Sequence, residues 1–276
     1  MKRTATIVLN RNLPDVTNKL CEQIEAYNNH LTDIFVVESG SDAESLSRYC
    51  SWHANWPEAV KEGLRYPRGF NYGLFKLFEE KKLQNYDFFF LVCNDVSFLT
   101  PNVIEILENE IDKHPRVGIL SPCSEQWGEK TLISNSNEMK YFWHTQFLAW
   151  FIRREFIEDL VPLENQSFLN FFFDGNNYRG YGADLEIIAK AYANDWACAI
   201  TPKAWQIEDE SFLKTKAAIM HTDSYDVNIQ KLIQEGKNWL RNKYGFNSRW
   251  LLQMYSKNFY DKFFEHYPEL NKFKIN

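Results

Sequence analysis

Short apolar runs alternate along the chain with longer segments of helical periodicity. Four runs rich in β-branched and aromatic residues predict buried strands, at residues 4–9, 34–38, 86–93 and 117–120. The run at 86–93 (YDFFFLVC) is apolar on both faces, which is typical of a central strand. Three segments between these runs predict helices. The first starts at Pro14 and has Val16, Leu20, Ile24 and Tyr27 at helical spacing, and the second covers residues 69–80. The third starts at Thr100-Pro101 and has Val103, Leu107 and Ile111 at the same spacing. This alternation predicts an open, mostly parallel α/β sheet.

Polar residues follow three of the predicted strands at the point where each strand ends. The first strand ends in Asn10 and Arg11, the second in residues 38–42 (ESGSD), and the central one in Asn94 and Asp95. In sheets of this kind, ligands bind at the carboxyl ends of the strands. Each loop alone is weak support, because surface loops are polar anyway. A carboxylate or an arginine at all three ends favours a binding site.

Composition narrows the functional classes. The 276 residues carry a formal net charge of −6, which argues against general nucleic-acid binding. Hydrophobic residues make up 45% and charged residues 25%, as in globular proteins. No apolar run exceeds six residues and the N-terminal MKRTATIVLN lacks an apolar core, so neither a membrane span nor a signal peptide is expected. The five cysteines form no CxxC pair, which favours a reducing cytoplasm over a zinc ribbon or a disulfide scaffold.

Five short motifs follow one another along the chain. They are IVLNR at residues 7–11, VVESGSD at 36–42, GFNYG at 69–73, LVCNDV at 91–96 with Pro101 and GILSP (118–122) after it, and GADLE at 182–186. This series resembles the family-2 glycosyltransferases of the GT-A fold over residues 4–223. The resemblance implies a Rossmann-like, mostly parallel mixed α/β sheet flanked by helices. It places a catalytic domain at 1–225, with a nucleotide-sugar half at about 1–122 and an acceptor half at about 123–225, and a C-terminal helical extension at 226–276.

The resemblance assigns the strand-end residues to a nucleotide-sugar donor. A carboxylate at Glu38 suits the N–H and hydroxyl groups of a base and ribose, and Arg11 suits a phosphate. The family usually has Asp at the Glu38 position, and a solvated strand-end charge is the alternative for Arg11. The positions matching donor-binding motifs are Asn10, Arg11, Glu38, Ser39, Asp42, Asn71, Asn94 and Asp95.

The resemblance also implies a divalent cation, Mn²⁺ or Mg²⁺, that neutralises charge on the leaving diphosphate. Asp95 and His221 match the positions of its protein ligands. Cys93 stands where the family has its first acidic residue, and a thiol is a poor ligand for a hard cation. The alternatives are that Asp95 only caps the turn after its strand and that His221 is structural.

Asp184 begins a predicted helix over residues 184–194 and matches the family's general base, which takes the proton of the acceptor hydroxyl. Direct attack on an α-linked donor would then invert the anomeric carbon. The alternative for Asp184 is a carboxylate that satisfies N–H groups at a helix start. The candidates for binding the acceptor are Trp127, Trp150, Tyr178 and Glu186. For the three aromatic residues among them, core packing is the alternative.

Residues 226–276 carry nine Lys or Arg, five Asp or Glu and eleven aromatic residues. As amphipathic helices they would rest on an anionic membrane, join two subunits, or pack on the catalytic core. The expected function is that of an inverting, metal-assisted transferase in the cytoplasm. It would use a nucleotide-sugar donor and a glycan or lipid-linked acceptor, as in bacterial cell-surface polysaccharide assembly. The alternative is a catalytically silent GT-A domain that binds a glycan or a partner, suggested by Cys93 and by Ala183 in place of the family's Glu.

Overall fold

The computed structural model describes residues 3–133, 136–162, 164–209 and 211–275. Nine strands in these residues form one sheet, in the order β3-β2-β1-β4-β8-β6-β9-β5, with β7 paired to β9. The strands are β1 (Thr4–Asn10), β2 (Thr32–Glu38), β3 (Cys50–His53), β4 (Phe88–Val92), β5 (Val96–Phe98), β6 (Val117–Ser124), β7 (Lys140–Tyr141), β8 (Ala149–Arg153) and β9 (Ala197–Glu208). The pairs within β3-β2-β1-β4 are parallel, as is β6 with β9, whereas β8 runs antiparallel to both its neighbours. The predicted mostly parallel mixed sheet is confirmed.

Helices flank this sheet and alternate with its strands over the first half of the chain. They are α1 (Pro14–Asn28), α2 (Pro57–Glu62), α3 (Arg65–Glu79), α4 (Val103–Ile111), α5 (Glu129–Ile133), α6 (Arg154–Leu160), α7 (Ala183–Ala193), α8 (Ser211–Thr215), α9 (Tyr225–Tyr244) and α10 (Arg249–His266). Short 3₁₀ turns lie at Ala43–Ser45, Leu83–Asn85 and Pro268–Phe273.

The glycines of the GFNYG motif serve the packing of α3 on β1. A Cβ atom added at Gly69 would lie 2.8 Å from Leu9 Cδ1, and one added at Gly73 would lie 2.8 Å from Ile7 Cγ2. Both separations are too short for carbon atoms in van der Waals contact. The motif therefore brings the helix close to the strand that carries Asn10 at its end.

The central strand is β4, as predicted. All five of its residues are buried, and it lies between β1 and β8. Because β4 lies in the middle of the sheet, the residues that follow it, Asn94 and Asp95, lie at the middle of the sheet's carboxyl edge. This position makes them the natural floor of a ligand site.

The structure corrects three of the predicted helix details. Tyr27 is 56% exposed, because α1 buries a face that includes Thr17, Leu20 and Ile24 instead. Asn102, rather than Thr100, precedes the first turn of α4. The helix predicted over 69–80 begins earlier, at Arg65.

The longest strand, β9, was not predicted, and the reason is its mixed composition. Its first half is buried, but lysine, glutamine and glutamate interrupt its second half, where its burial alternates. Neither a continuous apolar run nor a clean period of two is present along its length.

The C-terminal helices pack on the sheet domain. Leu185 of α7 forms an apolar cluster with Trp239, Leu240 and Leu252 of α9 and α10. Further along α10, Tyr260, Phe263 and Phe264 belong to the main core. Of the three roles considered for residues 226–276, packing on the core is therefore realised. No helix in the described ranges has both the length and the apolar character needed to cross a bilayer.

Candidate functional site

A cavity of about 200 Å³ opens at the carboxyl edge of the sheet, where β1, β2 and β4 end. The parallel pairing of β1 with both other strands brings their ends side by side. We call this space the strand-end cavity. Among its lining residues are five of the predicted donor-binding residues: Asn10, Arg11, Ser39, Asn94 and Asp95.

Glu38, predicted to face the base or ribose, is instead fully buried beneath the cavity. Its Oε2 accepts hydrogen bonds from Asn10 Nδ2 at 2.8 Å and from Ser41 Oγ at 2.6 Å, and its Oε1 accepts from the Ser47 backbone N–H at 2.7 Å. Burial raises the pKa of Glu38, and these bonds act against the rise. The carboxyl group thus holds the turns after β1 and β2 and does not point toward a ligand.

Asn10 has a similar supporting position. Its Oδ1 accepts the backbone N–H of Leu13 and the hydroxyl of Thr17, each at 3.0 Å. Its Nδ2 donates to Glu38, so both the oxygen and the nitrogen of the amide are engaged in hydrogen bonds. Asn10 therefore shapes the wall of the cavity through the turn that starts α1.

Arg11 lines the strand-end cavity, but its guanidinium binds backbone carbonyls in place of the predicted phosphate. Nε donates to the Met220 carbonyl at 2.6 Å and Nη1 to the Ser39 carbonyl at 2.8 Å. The remaining contacts, from Nη1 and Nη2, reach carbonyls at the end of α2, those of Ala59, Val60 and Lys61. Burial lowers the pKa of Arg11. The side chain ties three separate segments together around the cavity mouth.

Asp95 is the acidic residue that this cavity presents. Its Oδ1 is buried and finds no hydrogen-bond partner within the described residues. Burial, with a smaller contribution from the charge of Asp209, raises the pKa of Asp95 from 3.8 to about 6. An unpartnered carboxylate oxygen in a cavity is a suitable donor for Mn²⁺ or Mg²⁺. Beside it, burial and the charge of Asp95 raise the pKa of the Cys93 thiol well above its usual value, so Cys93 is not a competing thiolate ligand.

His221 is not brought to Asp95. Its Nε2 lies 3.4 Å from Asp42 Oδ2, its side chain is about half exposed, and it lines a separate, larger cavity of about 630 Å³. The residue lies in a turn with φ of 47°, beyond α8 and not directly after a strand. Across the parts of the chain that the structure covers, no group of three or more His, Cys, Asp or Glu side chains is poised to hold a metal. Asp95 and His221 thus line different cavities, and the unpartnered Oδ1 of Asp95 is the atom that fits a cation.

Asp42 belongs with His221 and not with the strand-end cavity. Its carboxylate accepts from Asn12 Nδ2 at 3.1 Å, and its backbone N–H donates to Asn12 Oδ1 at 2.7 Å. Asn12 Nδ2 also donates to the Ile219 carbonyl at 2.9 Å. These bonds join the loop after β2 to the turn that carries His221.

Arg65 is the residue that links the two cavities, and the sequence motifs did not indicate it. It lines both of them, as does Thr222. Its Nη2 donates to Thr222 Oγ1 at 2.7 Å, while its Nε is buried without a partner in the described chain. Arg65 has a φ of 55°, a left-handed conformation that is uncommon for any residue but glycine. Arg65 and Asp95, which both line the strand-end cavity, thus each have one buried polar atom without a partner in the described chain.

Two further predicted site residues, Asn71 and Trp150, are buried in supporting roles. Asn71 is fully buried, and its amide bonds the backbone of Phe168, Phe172 and Phe173. Trp150 is also fully buried, in the core strand β8. These positions correct the donor role expected for Asn71 and the acceptor role expected for Trp150.

Glu186 is 1% exposed and is held by the C-terminal helix α9. Its Oε1 accepts the hydroxyl of Tyr244 and lies 2.8 Å from Lys243 Nζ and 3.1 Å from Lys190 Nζ. The acceptor role expected for Glu186 is thus replaced by a buried ionic link between α7 and α9.

Tyr178 and Trp127 remain near cavities. Tyr178 lines the larger cavity, where its ring is 4.7 Å from the Arg68 guanidinium and 5.8 Å from that of Arg65. Its hydroxyl donates to the backbone carbonyl of Glu62, which leaves its ring face as the accessible part. Trp127 is 37% exposed and lines a third cavity, described below.

Asp184 lies in the first turn of α7, entered through Gly182 with φ of 74°. Its Oδ2 is 3.8 Å from His144 Nε2 and 3.9 Å from Arg249 Nη2. The side chain is about 10% exposed, so it is a shielded carboxylate with a limited opening. Sequence reasoning missed His144 and Arg249, since neither lies in a motif and Arg249 belongs to the C-terminal extension.

Tyr66 connects Asp184 with the strand-end cavity. Tyr66 lines that cavity, and its hydroxyl donates to the Gly180 carbonyl at 2.6 Å. Burial, followed by the charge of nearby Asp184, raises the pKa of Tyr66 well above its usual value. Asp184 thus lies near Tyr66, a residue of the cavity wall.

The sequence matches no protein-family model and no curated protein. Its structure is similar to GalNAc-T7 solved with UDP, GalNAc and Mn²⁺, with a TM-score of 0.54 and 10% identity over 99% of this chain. It is also similar to the mannosyltransferase PcManGT from Pyrobaculum calidifontis in complex with GDP-Man and Mn²⁺, with a TM-score of 0.50 and 12% identity over 93% of this chain and 73% of that one. For S. aureus TarS 1–349, the TM-score is 0.51 at 13% identity over 87% of this chain and 73% of that one.

These similarities show that the chain has the GT-A-like glycosyltransferase fold. The chain spans 59% of the length of the GalNAc-T7 chain.

Proposed function

We propose that the chain is an inverting glycosyltransferase that moves a sugar from a nucleoside-diphosphate donor to a hydroxyl of a glycan or lipid-linked glycan. The observation that carries this proposal is the buried, unpartnered Oδ1 of Asp95 at the centre of the sheet's carboxyl edge. Two structures of the same fold contain UDP or GDP-Man together with Mn²⁺, which supports a nucleotide donor and a divalent cation for this chain.

The donor's diphosphate is assigned to the strand-end cavity, between Asp95 and Arg65. Asp95 Oδ1 is the group that would hold a divalent cation, which supplies positive charge to the leaving diphosphate when it is bound. Arg65 presents a buried Nε–H to the same space and would stabilise the charge that develops on the diphosphate oxygens. The rings of the nucleotide and the sugar extend beyond this space, toward the larger cavity that Arg65 also lines.

Asp184 is assigned as the general base. Its carboxylate accepts the proton of the acceptor hydroxyl as that oxygen forms a bond to the anomeric carbon. The bond from the anomeric carbon to the donor phosphate oxygen breaks in the same step, and the nucleoside diphosphate leaves. A single displacement of this kind inverts the anomeric configuration, and it needs no covalent nucleophile.

Arg249 holds Asp184 ready for this step, and His144 in turn binds Arg249. Arg249 Nη2 lies 2.8 Å from His144 Nε2. Because a guanidinium only donates, His144 Nε2 is the acceptor and its ring is the neutral tautomer protonated on Nδ1. Asp184 is therefore balanced by one cation, Arg249, at 3.9 Å, and not by two.

The cellular setting proposed is bacterial cell-surface polysaccharide assembly in the cytoplasm, on the strength of the family-2 resemblance. A lipid-linked acceptor is compatible with this setting, because α10 exposes a row of large apolar side chains, among them Trp250 at 74% and Met254 at 68%.

The test is a turnover assay with a panel of UDP-, GDP- and dTDP-sugars and Mn²⁺, in which nucleoside diphosphate release and product anomeric configuration are measured. We expect one donor to be consumed, and the product to have the opposite anomeric configuration. Asp184→Asn should reduce transfer by about 10³-fold or more and leave the donor Kd unchanged, because it removes the base and keeps the shape. Full activity in that variant, or a retained configuration, would contradict the assignment.

A second candidate function is a catalytically silent GT-A domain that binds a glycan or a partner. It is favoured by the engagement of Arg11 and Glu38 in backbone and turn contacts and by Cys93 at the family's first acidic position. The rate of donor hydrolysis measured without acceptor distinguishes the transferase from the silent domain. A transferase releases nucleoside diphosphate at a rate that Asp184→Asn changes, whereas a silent domain releases none.

A further inference from the structure

A third cavity, of about 250 Å³, lies between the segment 127–146 and the C-terminal helix α10. We call it the tryptophan cavity, because Trp127 and Trp143 form part of its lining. Polar side chains complete it: Glu129, His144, Gln146 and Gln253. Its volume is below the roughly 300–1,000 Å³ of sites for drug-sized ligands, so it suits a single small ring.

The polar groups of this cavity are open to a ligand. The side-chain amides of Gln146 and Gln253 make no hydrogen bond with any residue the structure describes, and both side chains are partly exposed. The Trp127 indole is 37% exposed at the same site. An accessible aromatic face together with free amides is the combination that recognises a sugar ring, whose C–H face packs on the indole while its hydroxyls bond the amides.

One carboxylate, that of Glu129, lines the cavity, and a second, that of Asp184, lies next to the lining residue His144. Glu129 is 9% exposed, and its Oε1 accepts the backbone N–H of Gln146 at 3.0 Å. At the other end, His144 lies 3.8 Å from Asp184. The one nearby guanidinium, Arg249, already contacts His144 and Asp184. Lys257 lies 5.2 Å from the ring of Trp143 but is paired with Asp261. An anionic ligand would meet the Glu129 carboxylate, with that of Asp184 behind His144, and both Arg249 and Lys257 are already engaged, so the cavity favours a neutral ring.

The cavity also has the right position relative to the proposed base. His144 belongs to its lining and lies 3.8 Å from Asp184, and Asp184 also influences Tyr66, which lines the strand-end cavity. Asp184 therefore lies between the two spaces. A hydroxyl group on a ring held in the tryptophan cavity would be directed toward the carboxylate and the donor beyond it.

We propose that the tryptophan cavity is the subsite for a neutral sugar ring of the acceptor, stacked on Trp127 and bonded through its hydroxyls to Gln146 and Gln253. This inference rests on the proposed function for the identity of the ring as an acceptor. It gives α10 a direct role, since Gln253 comes from the C-terminal extension that the family resemblance does not cover. Residues 226–276 would then select the acceptor as well as complete the fold.

The test is saturation-transfer NMR on the full chain with methyl glycosides of glucose, galactose, mannose and N-acetylglucosamine, and with methyl glucuronide as the anionic comparison. Each is measured alone and with nucleoside diphosphate and Mn²⁺ added. We expect at least one neutral glycoside to receive saturation and the glucuronide to receive none. Trp127→Ala should weaken the binding of that glycoside roughly tenfold, the loss of one stacked aromatic contact.

The matched control is Trp250→Ala, which removes a tryptophan of α10 that is 74% exposed and outside the cavity lining. It should leave glycoside binding unchanged, and Gln253→Ala should weaken it. Binding of no neutral glycoside under either condition, or equal losses in Trp127→Ala and Trp250→Ala, overturns the proposal. Nucleotide binding measured on the same samples distinguishes the sugar subsite from the proposed transferase function. If no nucleotide binds while glycoside binding is intact, the transferase function is wrong and the sugar site remains.

Discussion

Asp95 carries a buried carboxylate oxygen with no partner in the described chain, at a position that packing alone does not explain. Its raised pKa means that the folded chain binds this proton more tightly than the unfolded chain does. The folded state is therefore penalised as the pH rises from about 4 through about 6, and the full penalty is present above that range. A buried carboxylate that lowers the stability of the folded state in this way is typical of a ligand site.

We expect Asp95→Asn to be more stable than the natural chain at pH 7.5, by up to about 3 kcal/mol, because the shift is about two pKa units. The difference should shrink to about 0.5 kcal/mol at pH 4, where Asp95 is protonated in the folded chain and about half ionised in the unfolded chain. Urea unfolding at the two pH values measures it. An identical difference at both values would show that the charge of Asp95 has no part in it.

At the residue scale, the sequence motifs located the site but not the role of each side chain. Asn94 and Asp95 reach the cavity because the strand before them is unmistakably central. Arg11 binds the backbone carbonyl of Met220, which lies 209 positions away in sequence. Local motifs carry no information on such contacts, and the same applies to the bond of Arg249 with His144.

At the element scale, the segment 211–222 covers the ends of the strands. Leu213, Met220 and Thr222 line the strand-end cavity. The segment is held by Arg11 at the Met220 carbonyl, by Asn12 at the Ile219 carbonyl and by Arg65 at Thr222. Because three residues of this segment line the cavity, we expect its attachment to govern the access of a ligand.

Arg11→Lys should loosen that attachment, since a lysine cannot span the carbonyls of three segments with a planar fork. Loss of one hydrogen bond from a charged donor corresponds to about tenfold faster local opening or more. Hydrogen exchange measured by mass spectrometry should show this acceleration in residues 217–222. Arg48→Lys, at an exposed ion pair with Glu22, is the control and should leave the exchange of this segment unchanged. Equal exchange in both variants would contradict this function of Arg11.

The elements themselves were predictable where composition and periodicity agreed. β1, β2 and β4 each contain an unbroken run of apolar residues, and α7 begins within one residue of its predicted start. β9 escaped prediction because its polar second half pairs with β5 and β6 only in the folded sheet. Tyr27 was assigned to the wrong face because its spacing fits the stripe, yet α1 turns it to solvent.

At the scale of the whole molecule, the C-terminal helices complete the fold. They cover Leu185 and the aromatic cluster around Tyr260, and they supply Lys243 and Tyr244 to the buried Glu186. The aromatic richness of residues 226–276 indicated burial, but the sequence could not specify which surface they cover, because their partners on α7 and β7 are distant along the chain.

A chain ending at residue 225 should therefore lose its cooperative thermal transition or melt roughly 10 °C or more below the full chain, because it exposes this apolar surface and leaves Glu186 buried without its partners. Differential scanning calorimetry measures the change. The full chain carrying Trp250→Ser and Met254→Ser, which alters only exposed side chains of α10, is the control and should keep its melting temperature. A truncated chain that melts like the full one would show that the extension is not part of the core.

The central claim is that the strand-end cavity is a metal-dependent nucleotide site built on Asp95. Isothermal titration calorimetry of UDP and of GDP, with and without Mn²⁺, tests it most directly on three chains: the natural one, Asp95→Ala, and Asp226→Ala as an exposed acidic control. We predict that one nucleotide binds the natural chain and the control with 1:1 stoichiometry only when Mn²⁺ is present, and that Asp95→Ala weakens it by about 100-fold. Absence of binding by either nucleotide, or equal binding by all three chains, would contradict the account.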